Sequence, residues 1–160
     1  MQRPWRRATS EVRKGTREEV VRYFEDPPDE QNKPHAYLSA PGRSEYLLGL
    51  VDRLALPRSA RVLEVGCNAG RNLLALHRRG FVNVAGVELS EKAVELARTY
   101  GLDVTHDLLE RFLPPCRETY DLLFSMAVLE HIPPESSAEV FPHMARVGKA
   151  VLTIEDESGD

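Results

Sequence analysis

Apolar and polar positions alternate between two periods along most of the chain. Val62, Leu63 and Val65 form a short apolar run, and Leu73, Leu74 and Leu76 follow at helical spacing. The pattern predicts a strand over 61–65 and a helix over 71–79, ended by Gly80. It repeats with a strand over 84–88, a helix capped by Ser90 and running to residue 100, and a short strand over 102–105. After Pro114-Pro115 come a strand over 120–125 and a helical turn over 128–132. A helix over 135–147, kinked or broken at Pro142, and a strand over 150–154 complete the series. Strands alternating with helices predict an α/β fold with a parallel, doubly wound sheet.

Two helices are predicted ahead of the first strand. Thr9 or Ser10 can cap a helix reaching residue 25, with Val12, Thr16, Val20 and Phe24 on one face. A proline-rich loop over 26–34 separates it from a helix over 43–54 that places Tyr46, Leu47, Leu50, Val51 and Leu54 together. The expected organisation is a helical cap and loop over 1–42 and a Rossmann-like domain over 43–160.

Composition narrows this picture. The 160 residues suffice for one domain with a full core, and no apolar run has the length a membrane helix needs. Arg6-Arg7 is not followed by a hydrophobic segment, and Cys67 and Cys116 have neither a disulfide framework nor metal spacing. A cytoplasmic protein without a metal site is the expectation. Net charge is −4, unevenly spread: residues 1–22 hold seven basic residues against three acids, and the remainder 14 against 22. An acidic body argues against a duplex-binding surface, so nucleic acid is not an expected partner.

The segment between the first strand and helix, Gly66-Cys67-Asn68-Ala69-Gly70, lies at the carboxyl end of a strand, where such sheets bind ligands. Its glycines admit a close backbone approach, and the helix after it presents free N–H groups. The dinucleotide fingerprint G-x-G-x-x-G fails, because Asn68 occupies its third position and no third glycine follows; a nicotinamide enzyme is disfavoured. Glu64 followed by G-x-N-x-G instead resembles the first motif of class I S-adenosylmethionine-dependent methyltransferases.

Other residues fall at matching distances. Glu88 ends the second strand 22 residues after Gly66, near the spacing of about 20 for an acid that accepts from ribose hydroxyls. Asp107 follows the third strand; the resemblance implies that it meets the adenine amino group, although the position also suits a turn-forming residue. Residues 120–133, YDLLFSMAVLEHIP, resemble the fourth motif of the type-11, ubiquinone-biosynthesis-like branch of that family. The resemblance implies that Glu64, Gly66, Cys67, Asn68, Gly70, Asn72, Glu88, Leu89, Asp107, Leu108, Ser125 and Met126 form the cofactor site. His131 is a candidate general base, because an imidazole can take a proton near neutral pH; alternatively, Glu130-His131 orders the turn. Tyr37 and Arg43 flank a turn from which a tyrosine could cover the cofactor and an arginine could pair with its carboxylate; the alternative, that both are structural, is the simpler reading.

The resemblance spans residues 43–154. It implies S-adenosylmethionine as cofactor, S-adenosylhomocysteine as product and a small-molecule methyl acceptor. The family sheet has seven strands in the order 3-2-1-4-5-7-6, and no counterpart of the last two is legible after residue 154. The fifth strand is thus an expected bare edge, covered in a homodimer, by a partner or by the N-terminal helices. The alternative expectation is a truncated or non-catalytic cofactor-binding module that needs a partner chain.

Overall fold

The computed structural model describes residues 16–39 and 42–155. Five parallel strands form one sheet in the order β3-β2-β1-β4-β5: β1 Arg61–Val65, β2 Asn83–Glu88, β3 Asp103–His106, β4 Tyr120–Met126 and β5 Gly148–Ile154. Among the described residues seven α-helices accompany them: α1 Arg17–Glu25, α2 Pro34–Leu38, α3 Glu45–Arg53, α4 Arg71–Arg78, α5 Glu91–Thr99, α6 Leu109–Phe112 and α7 Pro134–Val147. The predicted doubly wound order is present. Among the described residues β5 is an edge, with Val151 exposed on it.

Alternation along the strands divides the core in two. Val62, Leu122 and Phe124 face one layer, where they meet Leu47 and Val51 of α3, Leu73 and Leu76 of α4, and Val94 and Ala97 of α5. Leu63, Val65 and Leu123 face the other and pack on Leu109, Leu113, Val140, Met144 and Val147 around α6 and α7. Each fully buried branched side chain contributes roughly 1.5–3 kcal/mol. Burial on both faces is why the strands read as apolar runs.

The β1–β2 register sets Glu64 opposite Gly86. A Cβ on Gly86 would lie 2.5 Å from Cys67 Sγ, so the chain after β1 can cross here only above a glycine.

Element boundaries differ from expectation at local contacts. Thr9 and Ser10 lie outside the described residues. Within them Thr16 is the N-cap of α1 rather than a member of its apolar face: its side chain accepts from the Glu19 N–H, and the Glu19 carboxylate accepts from the Thr16 N–H. Helix α7 runs through Pro142 without a break, because its apolar face (Val140, Met144, Val147) stays anchored on both sides of the proline. The short helices α2 and α6 were not legible; each has at most five residues.

Candidate functional site

A cavity of about 500 Å³ opens at the carboxyl ends of all five strands. Gly66 and Asn68 follow β1, Glu88 ends β2 and Leu89 follows it, Asp107 follows β3, Met126 ends β4 with Ala127 and Val128 beyond it, and Ile154 ends β5 with Glu155 beyond it. Val20 and Phe24 of α1, Tyr37 of α2, Arg43 and Arg71 also line it.

The loop after β1 is built around three left-handed residues, Gly66 (φ 72), Asn68 (φ 48) and Gly70 (φ 83). Asparagine is among the few non-glycine residues that tolerate this region, because its short side chain bonds locally; here Oδ1 accepts from the Ala69 N–H at 2.7 Å. A Cβ on Gly66 would lie 2.5 Å from Val128 Cγ2, so glycine there allows the loops after β1 and β4 to touch.

Glu88 ties this loop to β2. Its Oε2 accepts from the Asn68 N–H and its Oε1 from the Ser90 N–H, both at 2.8 Å. Burial raises its carboxyl above the ordinary range, and the backbone donors pull in the other direction. A carboxylate has about four lone-pair sites, so each oxygen keeps acceptor capacity toward the cavity.

Beneath the floor lies a buried polar chain. Ser44 Oγ donates to Asn72 Oδ1 at 2.7 Å, and Asn72 Nδ2 donates to Glu64 Oε1 at 2.6 Å. Glu64 is fully buried on β1, and desolvation pushes its carboxyl up to about 8. Its Oε2 has no hydrogen-bond partner, nor does the buried Nε of Arg71. Arg71 is only 8% exposed and makes no ion pair among the described residues. Its Nη1 donates to the Tyr37 carbonyl at 3.2 Å. A buried cation without a counter-ion is costly, and at the first position of α4 it also meets the positive end of the helix dipole. An anion arriving from the cavity would offset both costs.

The opposite wall is formed after β4. Ala127 (φ 55) reverses the chain into a 3-10 turn, Leu129–His131. His131 Nε2 stands 3.3 Å from Glu130 Oε1, both side chains being about one-tenth exposed, and the imidazole packs edge-on to Phe24 with centroids 4.9 Å apart. An imidazole beside a carboxylate at a cavity wall can accept a proton and hold the resulting charge.

A family model described as a methyltransferase domain matches residues 62–150. The chain belongs to the methyltransferase domain family. It is 35% identical over 104 residues to a ubiquinone biosynthesis O-methyltransferase of Hahella chejuensis, an alignment covering 61% of this chain and 42% of that one. With the enzyme of the same name from Xylella fastidiosa (strain M23) it is 31% identical over 130 residues, 77% of this chain and 50% of the relative. The chain thus spans about half the length of these relatives or less. Among solved structures it is similar to magnesium protoporphyrin IX methyltransferase from Synechocystis PCC 6803 with bound SAM, at TM-score 0.64 and 20% identity, covering 83% of this chain and 73% of that one. That likeness shows the fold: a Rossmann-like parallel sheet.

Against this methyltransferase domain the expected site residues sort by position. Tyr37, Arg43, Gly66, Asn68, Glu88, Leu89, Asp107, Met126 and His131 line the cavity. Glu64, Cys67, Asn72 and Ser125 are fully buried beneath it, Gly70 is buried at the start of α4, and Leu108 lies beside Asp107 outside the wall. Asp107 Oδ1 accepts from the Leu108 N–H and from Arg111 Nε, both at 2.8 Å, the turn geometry its residue type suggested. Arg71 and Glu155 line the cavity and were not anticipated. Both carried a signal: an arginine opening a helix against its dipole, and an acid placed directly after a parallel strand as Glu88 is.

Proposed function

We propose that the chain is an S-adenosylmethionine-dependent methyltransferase acting on a small-molecule acceptor. The observation that carries this is the meeting, in one cavity, of the Gly66–Gly70 loop, the Glu88 carboxylate and the Glu130–His131 pair. The residues fit the cofactor. Glu64 Oε2 and Arg71 Nε are buried atoms of opposite charge preference without partners, side by side in sequence with the glycine loop, and they complement an amino acid end. Arg71, with Arg43 at the rim, would hold its carboxylate, Glu88 its ribose hydroxyls and Asp107 its adenine amino group. Cys67, Gly70, Asn72, Leu89, Leu108, Ser125 and Met126 would shape the surrounding loop and wall.

The cofactor supplies an activated methyl group on a sulfonium sulfur. What the chain contributes is alignment, exclusion of water and proton removal. Phe24 and Val20 of α1 line the cavity, so the described residues 16–39 act as a cap on the domain that follows. His131 takes the acceptor proton at a ring nitrogen, and Glu130 holds the imidazolium that results. A module that binds without turnover has no comparable observation in its favour.

The β5 edge supports a homodimer in which two edges meet, to be read by light scattering at known concentration. Two free cysteines, one buried, fit a reducing cytoplasm, and no helix among the described residues is long and apolar enough to cross a membrane. Calorimetric titration of the purified chain with S-adenosylhomocysteine tests the function. One site per chain at micromolar Kd is expected; a folded chain that does not bind overturns the reading.

A further inference from the structure

Glu155 stands one residue past β5, and its two carboxylate oxygens reach two different elements. Oε1 accepts from Ser125 Oγ, at the buried end of β4, at 3.2 Å. Oε2 accepts from the backbone N–H of Glu130, inside the 3-10 turn that carries His131, at 3.3 Å. That turn begins just after Ala127, whose left-handed backbone is strained for a non-glycine residue and persists only when neighbours hold it. Two contacts from the end of β5 supply the hold: the Ala127 N–H donates to the Ile154 carbonyl at 2.7 Å, and Glu155 takes the Glu130 N–H. The first N–H groups of any helical turn lack internal partners, so a carboxylate there fixes the turn and favours its positive end.

We propose that Glu155 is the positioning residue for His131, clamping the turn to β4 and β5 so that the imidazole faces the cavity from beside Glu130 and Phe24. The proposal rests on the reading of His131 as the proton acceptor. Glu155 acts on the turn: one oxygen accepts from Ser125 Oγ and the other from the Glu130 amide. Its effect on the reaction runs through the orientation of the ring, held on one side by Glu130 and on the other by Phe24.

The test uses the ligand-free full chain and nuclear magnetic resonance. In Glu155→Ala the Glu130 amide should exchange with solvent about tenfold faster or more, and the His131 Cε1–H resonance should move, while the resonance of His77 on α4 stays in place. Glu155→Gln keeps an acceptor for the Glu130 N–H and should return both signals at least half-way. An unmoved His131 resonance and an unchanged Glu130 exchange rate in folded Glu155→Ala would overturn the proposal. Should that variant not fold, Glu155→Asp, too short to reach both donors, carries the same reading. S-adenosylhomocysteine binding by the unaltered chain is measured alongside. Its absence overturns the reading of the site and this inference with it, whereas binding combined with an unmoved His131 resonance overturns this inference alone.

Discussion

Arg71 lies over the ring of Tyr37, its guanidinium carbon 4.0 Å from the ring centroid. The pair joins the first residue of α4, just after the loop that follows β1, to α2. Stacking stabilises a desolvated cation by about 2 kcal/mol, against a cost of several kcal/mol for burying it without a counter-ion. An anion entering the cavity would close that balance.

Arg71→Ala should therefore weaken S-adenosylhomocysteine binding by about ten- to a hundredfold, and Arg71→Lys, which keeps the charge but loses the planar stack, should fall between. Calorimetry with the two variants and the unaltered chain checks the order. Equal affinities across the three would remove Arg71 from the site.

Glu88→Ala should cost at least about tenfold in the same affinity, the loss of one charge-assisted contact. Because Glu88 also accepts from the Asn68 and Ser90 N–H groups, the melting temperature should drop as well. A drop in melting temperature without loss of affinity would leave Glu88 a structural tie and nothing more.

His131→Ala is expected to lower turnover by roughly a hundredfold or more while S-adenosylhomocysteine affinity stays within a few-fold. Kinetics with any acceptor that the unaltered chain methylates separate the two effects. Parallel losses in turnover and affinity would make His131 a wall residue.

Burial raises the Glu64 carboxyl to about 8, mainly through desolvation, against the pull of Asn72 and Arg71. Between its ordinary range and about 8 the folded chain binds a proton that the unfolded chain has released. Stability from this group is therefore complete at low pH and is lost as pH rises through that window, by up to about 1.4 kcal/mol per pH unit. Urea unfolding at about pH 5 and about pH 8 should show a decline that Glu64→Gln flattens. Asp121, held low by Lys149, contributes in the opposite sense at more acidic pH and is common to both chains, so it cancels in the difference.

Gly66→Ala would place a Cβ within 3 Å of both γ-carbons of Val128 in a left-handed conformation. A loss of about 2–4 kcal/mol is expected, strain and overpacking together, with weaker S-adenosylhomocysteine binding because Val128 is driven into the cavity. Chemical denaturation and calorimetry check both.

The strands themselves, the glycine loop and the acid after β2 were legible because each rests on a local rule: apolar runs for buried strands, glycine for φ > 0, and an acid at a set distance from the loop; the order of the strands came only with the family resemblance. Thr16 was misplaced because a threonine reads equally as a helix face or a cap until the partner carboxylate, Glu19, is seen to turn back on it. The Ser44–Asn72–Glu64 chain and the bond from Glu155 to Glu130 were not legible at all. They join residues 28 and 25 positions apart whose approach depends on the packing of whole elements. Polar side chains that meet only after the sheet has formed leave no periodic trace.

Gly86 and Cys67 carry an implication for assembly. If β2 slid by one residue along β1, Ala85 or Val87 would come to lie under Cys67, and either brings the Cβ that the crossing chain cannot admit. The same slip would move Glu88 away from the Asn68 amide. Misaligned sheets are thus rejected at the position that also spaces the acid from the loop. Alignment of the strands and competence of the site are selected together, by one missing methyl group.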